Sequence, residues 1–433
     1  MQTSAPPQSI NHQSPEEIES FKPLKICLLG YRSKPHCGGQ GVYIRYLSSA
    51  LQKLGHTVDV ISGEPYPDLV EGVRLIKLPG LNLFEKQGRI ATLRHVDFKS
   101  FTSFFEWFSV LTGGFPEPYT FGRRLVRYFN ENKTDYDLIH DNQSLCYGLL
   151  ELQRQGYPVV STIHHPITKD RELALNSARN WYHRILIKRW HSFLNMQGDV
   201  VRNLNHLLTV SDQSRHDIAK AFKISETKIN LVYNGIDTID FSPIPEIRRH
   251  PFRIMATASA DIPLKGLDYL LKAIAKLIPR FPELNLMVLG SPKPGGHTES
   301  LIKSLNLEDS VTFVSDLTTE EINQYYAEAS IAVIPSLYEG FGLPAGEAMS
   351  SGVPVVSTTG GALPEVVGDA GIQVPPGDEA ALASAMEKLL DSQEEMSRLG
   401  AAGRERILEK FSWDVAARQM TRYYYQVLQD VNH

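Results

Sequence analysis

The chain has 433 residues, of which 42% are hydrophobic and 21% are charged, as in a globular protein of two or three domains. Its net charge of −5 gives no reason to expect nucleic-acid binding, and no apolar run is long enough to span a bilayer. Cys27, Cys37 and Cys146 have no metal-ligand spacing, so neither a zinc site nor a disulfide framework is predicted. Scattered thiols of this kind fit a reducing cytoplasm.

The chain from residue 25 to 240 is predicted to form a first domain. Residues 1–24 precede it and lack the basic start and apolar stretch of a signal peptide, so we predict a disordered tail. After the tail, short β-branched runs alternate with helix-like stretches, which predicts a parallel sheet built of βαβ units. The strand candidates are 25–30, 56–62, 136–141, 158–164, 207–211 and 229–235.

A second domain, 241–412, is predicted after a proline-rich break at 237–251. The predicted fold class is therefore α/β, with two doubly wound, Rossmann-like domains facing across a cleft. Ligands are expected beyond the carboxyl ends of the strands. The strand candidates of this domain are 252–258, 284–290, 311–315, 331–336 and 354–359. A final helix, 413–431, places six apolar residues on one face: Trp413, Ala417, Met420, Tyr424, Val427 and Val431.

The stretch 338–352, "YEGFGLPAGEAMSSG", is a glycine-rich loop between a strand and a helix. Glycines let a ligand approach the backbone closely, and the first N–H groups of a helix favour phosphate. Glu339 lies in the loop and Glu347 in the first turns of the helix. Each has a simpler explanation, since Glu347 would favour the helix dipole and Glu339 would be solvated. Two carboxylates near a bound phosphate would be costly unless they had another role, such as accepting hydrogen bonds from sugar hydroxyls.

Three further stretches lie at expected strand ends. Lys265 and Gly266 precede a helix, where a lysine could meet phosphate, although a Lys-Gly pair is usually incidental. The glycine-rich stretch 34–44 matches neither a Walker loop nor GxGxxG, so a tight turn explains it equally well. His164 and His165 end a strand, where at most one would face a cleft and a purely structural histidine is the alternative.

Together these motifs resemble the retaining glycosyltransferases of group 1, or family 4, of the sucrose-synthase and mannosyltransferase type, which have the GT-B fold. The resemblance extends over 25–425 and is most specific in "EGFGLPAGE" followed by "GVPVVSTTGGALPEVV". The stretches "CGGQGV", "TIHH", "VSDQS", "VYNGID" and "KGLDYLL" support it. It implies transfer of a sugar from a nucleotide-diphosphate sugar to an acceptor, with retention of the anomeric configuration. It also implies that the final helix crosses back to the first domain.

The resemblance further implies roles for single residues. Glu339 and His164 would be the catalytic residues that lie against the donor sugar. Lys265 would neutralise the diphosphate, and Glu347 would accept hydrogen bonds from ribose hydroxyls. The remaining donor-binding residues would be Gly39 and the N–H groups of Phe341, Gly342 and Leu343.

One departure from the family pattern concerns the leaving group. Members usually carry an arginine five or six residues before the lysine, where this chain has Ser259 and Ala260. Unless another basic residue substitutes, the lost charge-assisted contact would cost about 1.5–3 kcal/mol. No acidic cluster has the spacing of a Mg²⁺ site, so we expect neither a metal nor another cofactor. Lys265 and oriented amides would stabilise the leaving group, and Glu339 an oxocarbenium-like sugar.

Two rival functions stay open. A sugar-nucleotide epimerase would have a related architecture and need no separate acceptor. A non-catalytic sugar-nucleotide-binding protein would explain the missing arginine, although the four intact site residues argue against such decay. The sequence identifies neither the base, the sugar, the acceptor, the linkage nor the oligomeric state.

The segment 177–204 bears on the acceptor, because basic and aromatic residues are interleaved there at helical spacing. A helix of this kind could lie on an anionic membrane surface and suit a lipid-linked rather than a free glycan acceptor. The enzyme would then be cytoplasmic and peripheral at the inner face of a membrane. The alternative is a core helix whose aromatics pack on the sheet. The cations are Arg179, Arg184, Lys188, Arg189 and Arg202, and the apolar residues are Trp181, Tyr182, Ile185, Leu186, Trp190, Phe193 and Leu194.

Overall fold

The structure is a computed structural model, and it describes residues 22–35, 39–84, 100–176, 178, 180–257 and 260–431. Most of the predicted tail, Cys37, Arg179 and Ser259 therefore lie outside the described residues. Contacts divide the chain into two compact units. The first unit comprises Met1–Val210, Arg215–Val232 and Ala417–His433, and the second comprises Ser211–Ser214 and Tyr233–Ala416.

The first unit contains a parallel sheet with seven strands among the described residues, in the order β3-β2-β1-β4-β5-β6-β7. The strands are β1 (Lys25–Gly30), β2 (Thr57–Ser62), β3 (Arg74–Lys77), β4 (Leu138–Asn142), β5 (Val159–Ile163), β6 (His206–Thr209) and β7 (Ile229–Leu231). The helices are α1 (Gly39–Lys53), α2 (Phe101–Leu111), α3 (Glu117–Glu131), α4 (Tyr147–Arg154), α5 (Thr168–Asn176), α6 (Trp181–Trp190), α7 (Phe193–Asn203) and α8 (Asp212–Phe222), of which α8 begins in the second unit.

The second unit contains a parallel sheet of six described strands, in the order β10-β9-β8-β11-β12-β13. The strands are β8 (Arg253–Thr257), β9 (Asn285–Leu289), β10 (Val311–Val314), β11 (Ile331–Ile334), β12 (Val355–Thr358) and β13 (Ile372–Val374). The helices are α9 (Leu267–Leu277), α10 (His297–Ser304), α11 (Thr319–Glu328), α12 (Leu343–Ser350), α13 (Leu363–Val367), α14 (Glu379–Leu390) and α15 (Gln393–Lys410).

Both sheets confirm the predicted α/β class with doubly wound topology. The central strands are buried along almost their whole length, which explains why β1 and β11 are nearly all apolar. The order of the strands reverses between β1 and β4 in one sheet and between β8 and β11 in the other. Ligands of open α/β sheets bind at such reversals, beyond the carboxyl ends of the strands.

The last helix, α16 (Trp413–Val431), begins in the second unit and continues in the first. In the first unit, the Tyr424 hydroxyl lies 2.6 Å from His140 Nδ1, and Thr421 Oγ1 lies 3.0 Å from His56 Nε2. Ala417, Met420, Tyr424 and Val427 are buried, as the sequence predicts, whereas Val431 is 47% exposed. Val431 lies on the same helical face but in the final turn of α16.

Helices α6 and α7 together cover most of the segment 177–204, which is interrupted at His191 and Ser192. The two helices differ in burial, since α7 packs into the first unit through Leu194 and Val200, whereas α6 has no buried residue. The core-helix alternative therefore holds for α7 and is wrong for α6. Within the described residues, no helix combines the length and apolar composition that crossing a bilayer requires.

Candidate active site

In the second unit, two loops meet beyond the carboxyl ends of β8 and β11. After β8 the chain makes a single turn, Pro263–Lys265, and then enters α9 through Gly266, whose φ is 67°. A side chain at Gly266 would put its Cβ 2.0 Å from Pro335 O, so only glycine allows this approach. Leu337 N donates to Leu264 O at 2.8 Å, which holds the two loops together.

Lys265 and Glu339, two of the predicted site residues, form an ion pair where the loops meet. Lys265 Nζ donates to Glu339 Oε1 at 2.8 Å, and Ser336 Oγ donates to the same oxygen at 2.7 Å. The Glu339 side chain is 13% exposed and that of Lys265 is 31% exposed. A phosphate arriving at Lys265 would replace the carboxylate as its partner, while Ser336 would still anchor Glu339.

The start of α12 presents backbone N–H groups on the same side of the loop. Gly342 precedes this helix with φ 99°, a conformation that glycine adopts without strain. Pro344 has no N–H, and Ala345 N donates to Gly342 O at 3.0 Å. The N–H groups at this helix start that could meet an anion are therefore those of Gly342 and Leu343. Phe341 is buried against Phe411, with ring centroids 6.0 Å apart, so this residue contributes its backbone rather than its side chain.

Glu347 lies one turn into α12 and is half-buried. Burial raises the pKa of Glu347 to about 7, and a hydrogen bond with Tyr326 partly opposes that shift. The Tyr326 hydroxyl oxygen also lies 3.1 Å from Thr257 Oγ1 and 3.3 Å from Pro344 O. A buried tyrosine thus fixes a carboxylate whose charge changes near neutral pH.

The loop around Glu339 is held by two other stretches that the family motifs contain. Glu339 forms an isolated β-bridge with Gly361, whose φ is 67° and whose Cβ would lie 2.1 Å from Glu339 O. Ser211 Oγ and Ser214 Oγ donate to Gly340 O at 2.8 and 3.0 Å. The stretches "VSTTGGALPEVV" and "VSDQS" therefore position the loop.

In the first unit, His164 and the start of α1 lie beyond the carboxyl ends of β4, β5 and β1. His164 Nε2 lies 2.7 Å from Asn142 Oδ1, and Asn142 Nδ2 donates to Gln40 O at 3.0 Å. Asn142 thus links His164 to the turn of α1 that begins at Gly39, which is exposed. Tyr43 of α1 packs edge-on against the His164 ring, with centroids 4.7 Å apart.

The His164 imidazole is neutral at physiological pH. Burial lowers its pKa to about 3, with a smaller contribution from His165. The backbone around it is fixed by Gln143, which accepts from His164 N at 2.7 Å and donates to His165 O at 2.9 Å. Gln143 has φ 53°, an uncommon conformation for a non-glycine residue that often occurs near functional sites. Of the histidine pair, His164 is the one held beside α1.

Where the family usually has an arginine before Lys265, this chain has two small residues, and the structure describes one of them. Ala260 is 7% exposed, whereas Ser259 lies outside the described residues. The next residue, Asp261, accepts from Lys293 N at 2.8 Å and from Thr298 N at 3.0 Å. These bonds lower the pKa of Asp261, with Lys293 adding an electrostatic contribution. They also place Lys293, a cation that sequence reasoning did not consider, beside the segment that lacks the arginine.

No group of three or more histidine, cysteine, aspartate or glutamate side chains that could hold a metal ion occurs among the described residues. Sequence reasoning missed Asn142, Gln143, Ser336 and Tyr326. The first three are polar residues at or just beyond the end of a parallel strand, which is a usable signal. Tyr326 gives no such signal, because it reaches Glu347 from the last turn of a helix, α11.

Two family models match the chain, one in each half. The model described as Glycosyltransferase Family 4 matches residues 37–239, and the model described as Glycosyl transferases group 1 matches residues 251–392. The chain is also 46% identical over 406 residues to the MMP alpha-(1->4)-mannosyltransferase of Mycolicibacterium hassiacum, covering 93% of this chain and 98% of that protein. The chain belongs to the group 1/family 4 glycosyltransferases.

Solved glycosyltransferase structures share the fold of this group 1/family 4 enzyme. Sucrose-phosphate synthase from Thermosynechococcus elongatus superposes with a TM-score of 0.69 at 25% identity, over 94% of this chain and all of that one. HepE from Anabaena, solved in complex with UDP, superposes with a TM-score of 0.67 at 17% identity, over 93% of this chain and all of that one. The fold of this glycosyltransferase is therefore GT-B.

Proposed function

We propose that this glycosyltransferase moves a hexosyl group, with mannosyl as the first candidate, from a nucleotide-diphosphate sugar to a hydroxyl acceptor. The observation that carries the proposal is the Lys265–Glu339 pair beside the first N–H groups of α12. A cation, free amides and a carboxylate are together what a departing diphosphate and a developing sugar cation require. The mannosyl choice rests on the name of the 46% identical relative.

The leaving group would be stabilised without a metal. When the bond from the anomeric carbon to the β-phosphate oxygen breaks, negative charge develops on that oxygen. Lys265 and the amides of Gly342 and Leu343 would stabilise that charge, while Glu347 would hold the ribose hydroxyls. Gly39, at the start of α1 in the first unit, is proposed to approach the diphosphate.

Retention of the anomeric configuration is supported by the α-(1->4) linkage in the name of the 46% identical mannosyltransferase. An α-linked nucleotide sugar gives an α-linked product only when the configuration is kept. The acceptor hydroxyl would attack from the face that the diphosphate leaves, and its proton would pass to the departing phosphate oxygen. Glu339 would stabilise the oxocarbenium-like sugar, and the neutral His164 would hydrogen-bond a sugar hydroxyl without adding charge.

The proposed acceptor is a glycan or a lipid-linked sugar, and the exposed helix α6 favours the lipid-linked form. A cytoplasmic location is proposed as well. Cys27 and Cys146 are buried free thiols, as is usual in a reducing compartment.

A donor screen followed by a transfer assay tests the proposed function. The melting temperature would be measured with GDP-, UDP- and ADP-linked mannose and glucose, since a bound ligand stabilises the folded state. The best donor would then be incubated with mannosides of increasing length, with and without excess EDTA. We expect an α-linked product whose yield EDTA does not change.

Three outcomes would contradict the proposal. Loss of activity in EDTA with rescue by Mg²⁺ or Mn²⁺ would refute charge stabilisation by Lys265. Conversion of the donor sugar to its epimer without an acceptor would assign the chain to the epimerases. Tight donor binding without transfer or hydrolysis, over a wide range of acceptors, would indicate a non-catalytic binding protein.

A further inference from the structure

Two helices of the first unit carry most of the exposed apolar surface that the structure describes. Of the described large hydrophobic side chains, fourteen are exposed, and nine of these belong to α2 or α6. Phe101 and Trp181 are 60% and 73% exposed. The nine are Phe101, Phe104, Phe108, Leu111, Trp181, Tyr182, Ile185, Leu186 and Trp190. We call these nine side chains the α2–α6 surface.

The two parts of the α2–α6 surface meet at the C-terminal end of α2. Arg189 of α6 donates to Ser109 Oγ at 3.0 Å and to Thr112 Oγ1 at 3.1 Å, at the end of α2. A Cβ at Gly113 would lie 3.5 Å from Leu186 Cδ2. The end of α2 therefore lies directly beside α6.

Contiguous apolar patches of this kind are rare on the free surface of a monomer and usually mark an interaction site. Helix α6 is the clearest case, because it is rich in aromatic and aliphatic residues and yet has no buried residue. A surface helix normally buries its apolar stripe against its own domain. Trp190 packs against Phe84 and Phe115 of the first unit, with ring centroids 5.3 and 5.2 Å away. Trp181, Tyr182 and Ile185 are each more than half exposed and are available to something outside the first unit.

The charged side chains of α2 and α6 that face solvent are all positive. Helix α6 carries Arg184, Lys188 and Arg189 and no acidic residue. The one acidic residue of α2, Glu106, is buried and forms an ion pair with Arg124. An apolar surface bordered by cations is complementary to anionic lipid headgroups above an acyl layer.

We propose that the α2–α6 surface binds an anionic lipid bilayer, so that the enzyme meets a lipid-linked acceptor at the membrane. The Trp and Tyr side chains would lie at the level of the headgroups, where amphipathic rings are favoured. A second copy of the chain is a poorer occupant, because a two-fold interface would bring the same cations together. The acceptor part of this inference rests on the proposed function, whereas the binding part does not.

Vesicle flotation tests the inference on the full chain, with one set of vesicles made of phosphatidylcholine and another containing 40% phosphatidylglycerol. We expect flotation with the anionic vesicles at low salt and its loss in high salt. Lys188→Gln with Arg184→Gln should weaken binding by up to about twenty-fivefold, at up to about 1 kcal/mol or fivefold for each cation. Phe104→Ser with Ile185→Ser should abolish binding.

Matched controls remove equal charge or apolar area elsewhere. Lys133→Gln with Lys220→Gln removes two exposed cations, and Ile239→Ser with Leu408→Ser removes two exposed aliphatic side chains. Both controls should float as the unchanged protein does. The donor-induced rise in melting temperature shows that each variant is folded.

Three results would overturn the inference. The first is failure of the protein to float with any vesicle, and the second is flotation that the surface variants do not change. The third is a dimer, measured by analytical ultracentrifugation, that Phe104→Ser with Ile185→Ser dissociates, since this would assign the surface to a second copy. Transfer to a water-soluble mannoside without vesicles is measured in parallel. It tests the proposed function separately, because that reaction needs no membrane.

Discussion

At the scale of single residues, the Lys265–Glu339 pair is the first target for mutation. In the proposed mechanism Lys265→Ala would remove a charge-assisted contact to the diphosphate, worth about 1.5–3 kcal/mol, so kcat/KM should fall by tenfold or more. Glu339→Gln keeps the shape and the hydrogen bond from Ser336 but removes the charge, and a fall of at least tenfold is expected as well. Initial rates of transfer at varied donor concentration would measure both effects.

The control for this pair is Lys276→Ala, which removes an exposed lysine of α9. It should keep normal rates, and all three variants should keep the melting temperature of the unchanged protein within a few degrees. Near-normal turnover in Glu339→Gln would contradict the role assigned to this carboxylate.

Glu347 predicts a pH dependence of donor binding. Its pKa is raised to about 7 by burial, so a large share of the free enzyme holds it protonated below that pH. In the proposed role, ribose hydroxyls would donate to the ionised form of Glu347, and donor affinity should therefore rise as the pH increases through about 7 and then level off. Isothermal titration with an intact nucleotide sugar, whose phosphates do not titrate in this range, would measure it. The dependence should disappear in Glu347→Gln, and an unchanged profile in that variant would refute the assignment.

Mutation of Lys293 tests whether this residue replaces the arginine that the family usually carries before the lysine. Its backbone is bound to Asp261, two residues after Ser259, so we expect its side chain to supply the second cation. Lys293→Gln should weaken binding of the nucleoside diphosphate about fivefold or more, and adding Ser259→Arg should restore it. Arginine at Ala260 is a poor test, because that residue is buried. Lys303→Gln on α10 is the matched control, and equal affinities in the Lys293 and Lys303 variants would refute the substitution.

The sequence could identify the site residues in the motif loops, but it could not predict which side chains they contact. Glu339 and Lys265 were predicted as site residues from their match to the family motifs, because the pattern of strand, loop and helix alone left each with a simpler explanation. Their ion pair joins residues far apart in the chain, so it depends on which strands are neighbours in the sheet. The raised pKa of Glu347 depends in the same way on burial, which the fold alone determines.

At the scale of elements, the substitution Gly266→Ala tests whether the site requires the close approach of the loops that follow β8 and β11. Gly266→Ala would place a Cβ 2.0 Å from Pro335 O, which the backbone can only avoid by moving the turn that carries Lys265. Gly295→Ala is the matched control, since it has the same φ of 67° and no atom within 4 Å of its Cβ. Both variants should lose about 1 kcal/mol of stability to the left-handed conformation. Only Gly266→Ala should also lose transfer activity, and equal activities would show that the approach is not required.

The strands with few apolar residues were the ones that the sequence did not predict. Strands β1 and β11 are buried along almost their whole length, which gives the continuous apolar runs seen in the sequence. Two of the four described edge strands, β7 and β10, were predicted, because each lies in a longer apolar, β-branched run. The other two, β3 ("RLIK") and β13 ("IQV"), were missed, because each has only two apolar residues, too few to signal a strand.

At the scale of the whole molecule, α16 makes the end of the chain part of the core of the first unit. Tyr424→Phe would leave the buried His140 Nδ1 without its tyrosine partner, which costs about 1–3 kcal/mol. Thermal unfolding should therefore begin several degrees lower, as measured by calorimetry. Tyr182→Phe, at a 58% exposed position, is the control and should change nothing. Equal melting curves would show that the contact is not stabilising.

The position of α16 also has a consequence for synthesis on the ribosome. Domains generally fold in the order in which they emerge, with the N-terminal one first. Here the buried side chains of Tyr424 and Val427 belong to the first unit, yet they are synthesised after Ala416, the last residue of the second unit. We expect the second unit to begin folding while the sheet of the first unit still exposes the strip that α16 covers. During that interval the nascent chain would depend on chaperones, because its first unit is unfinished.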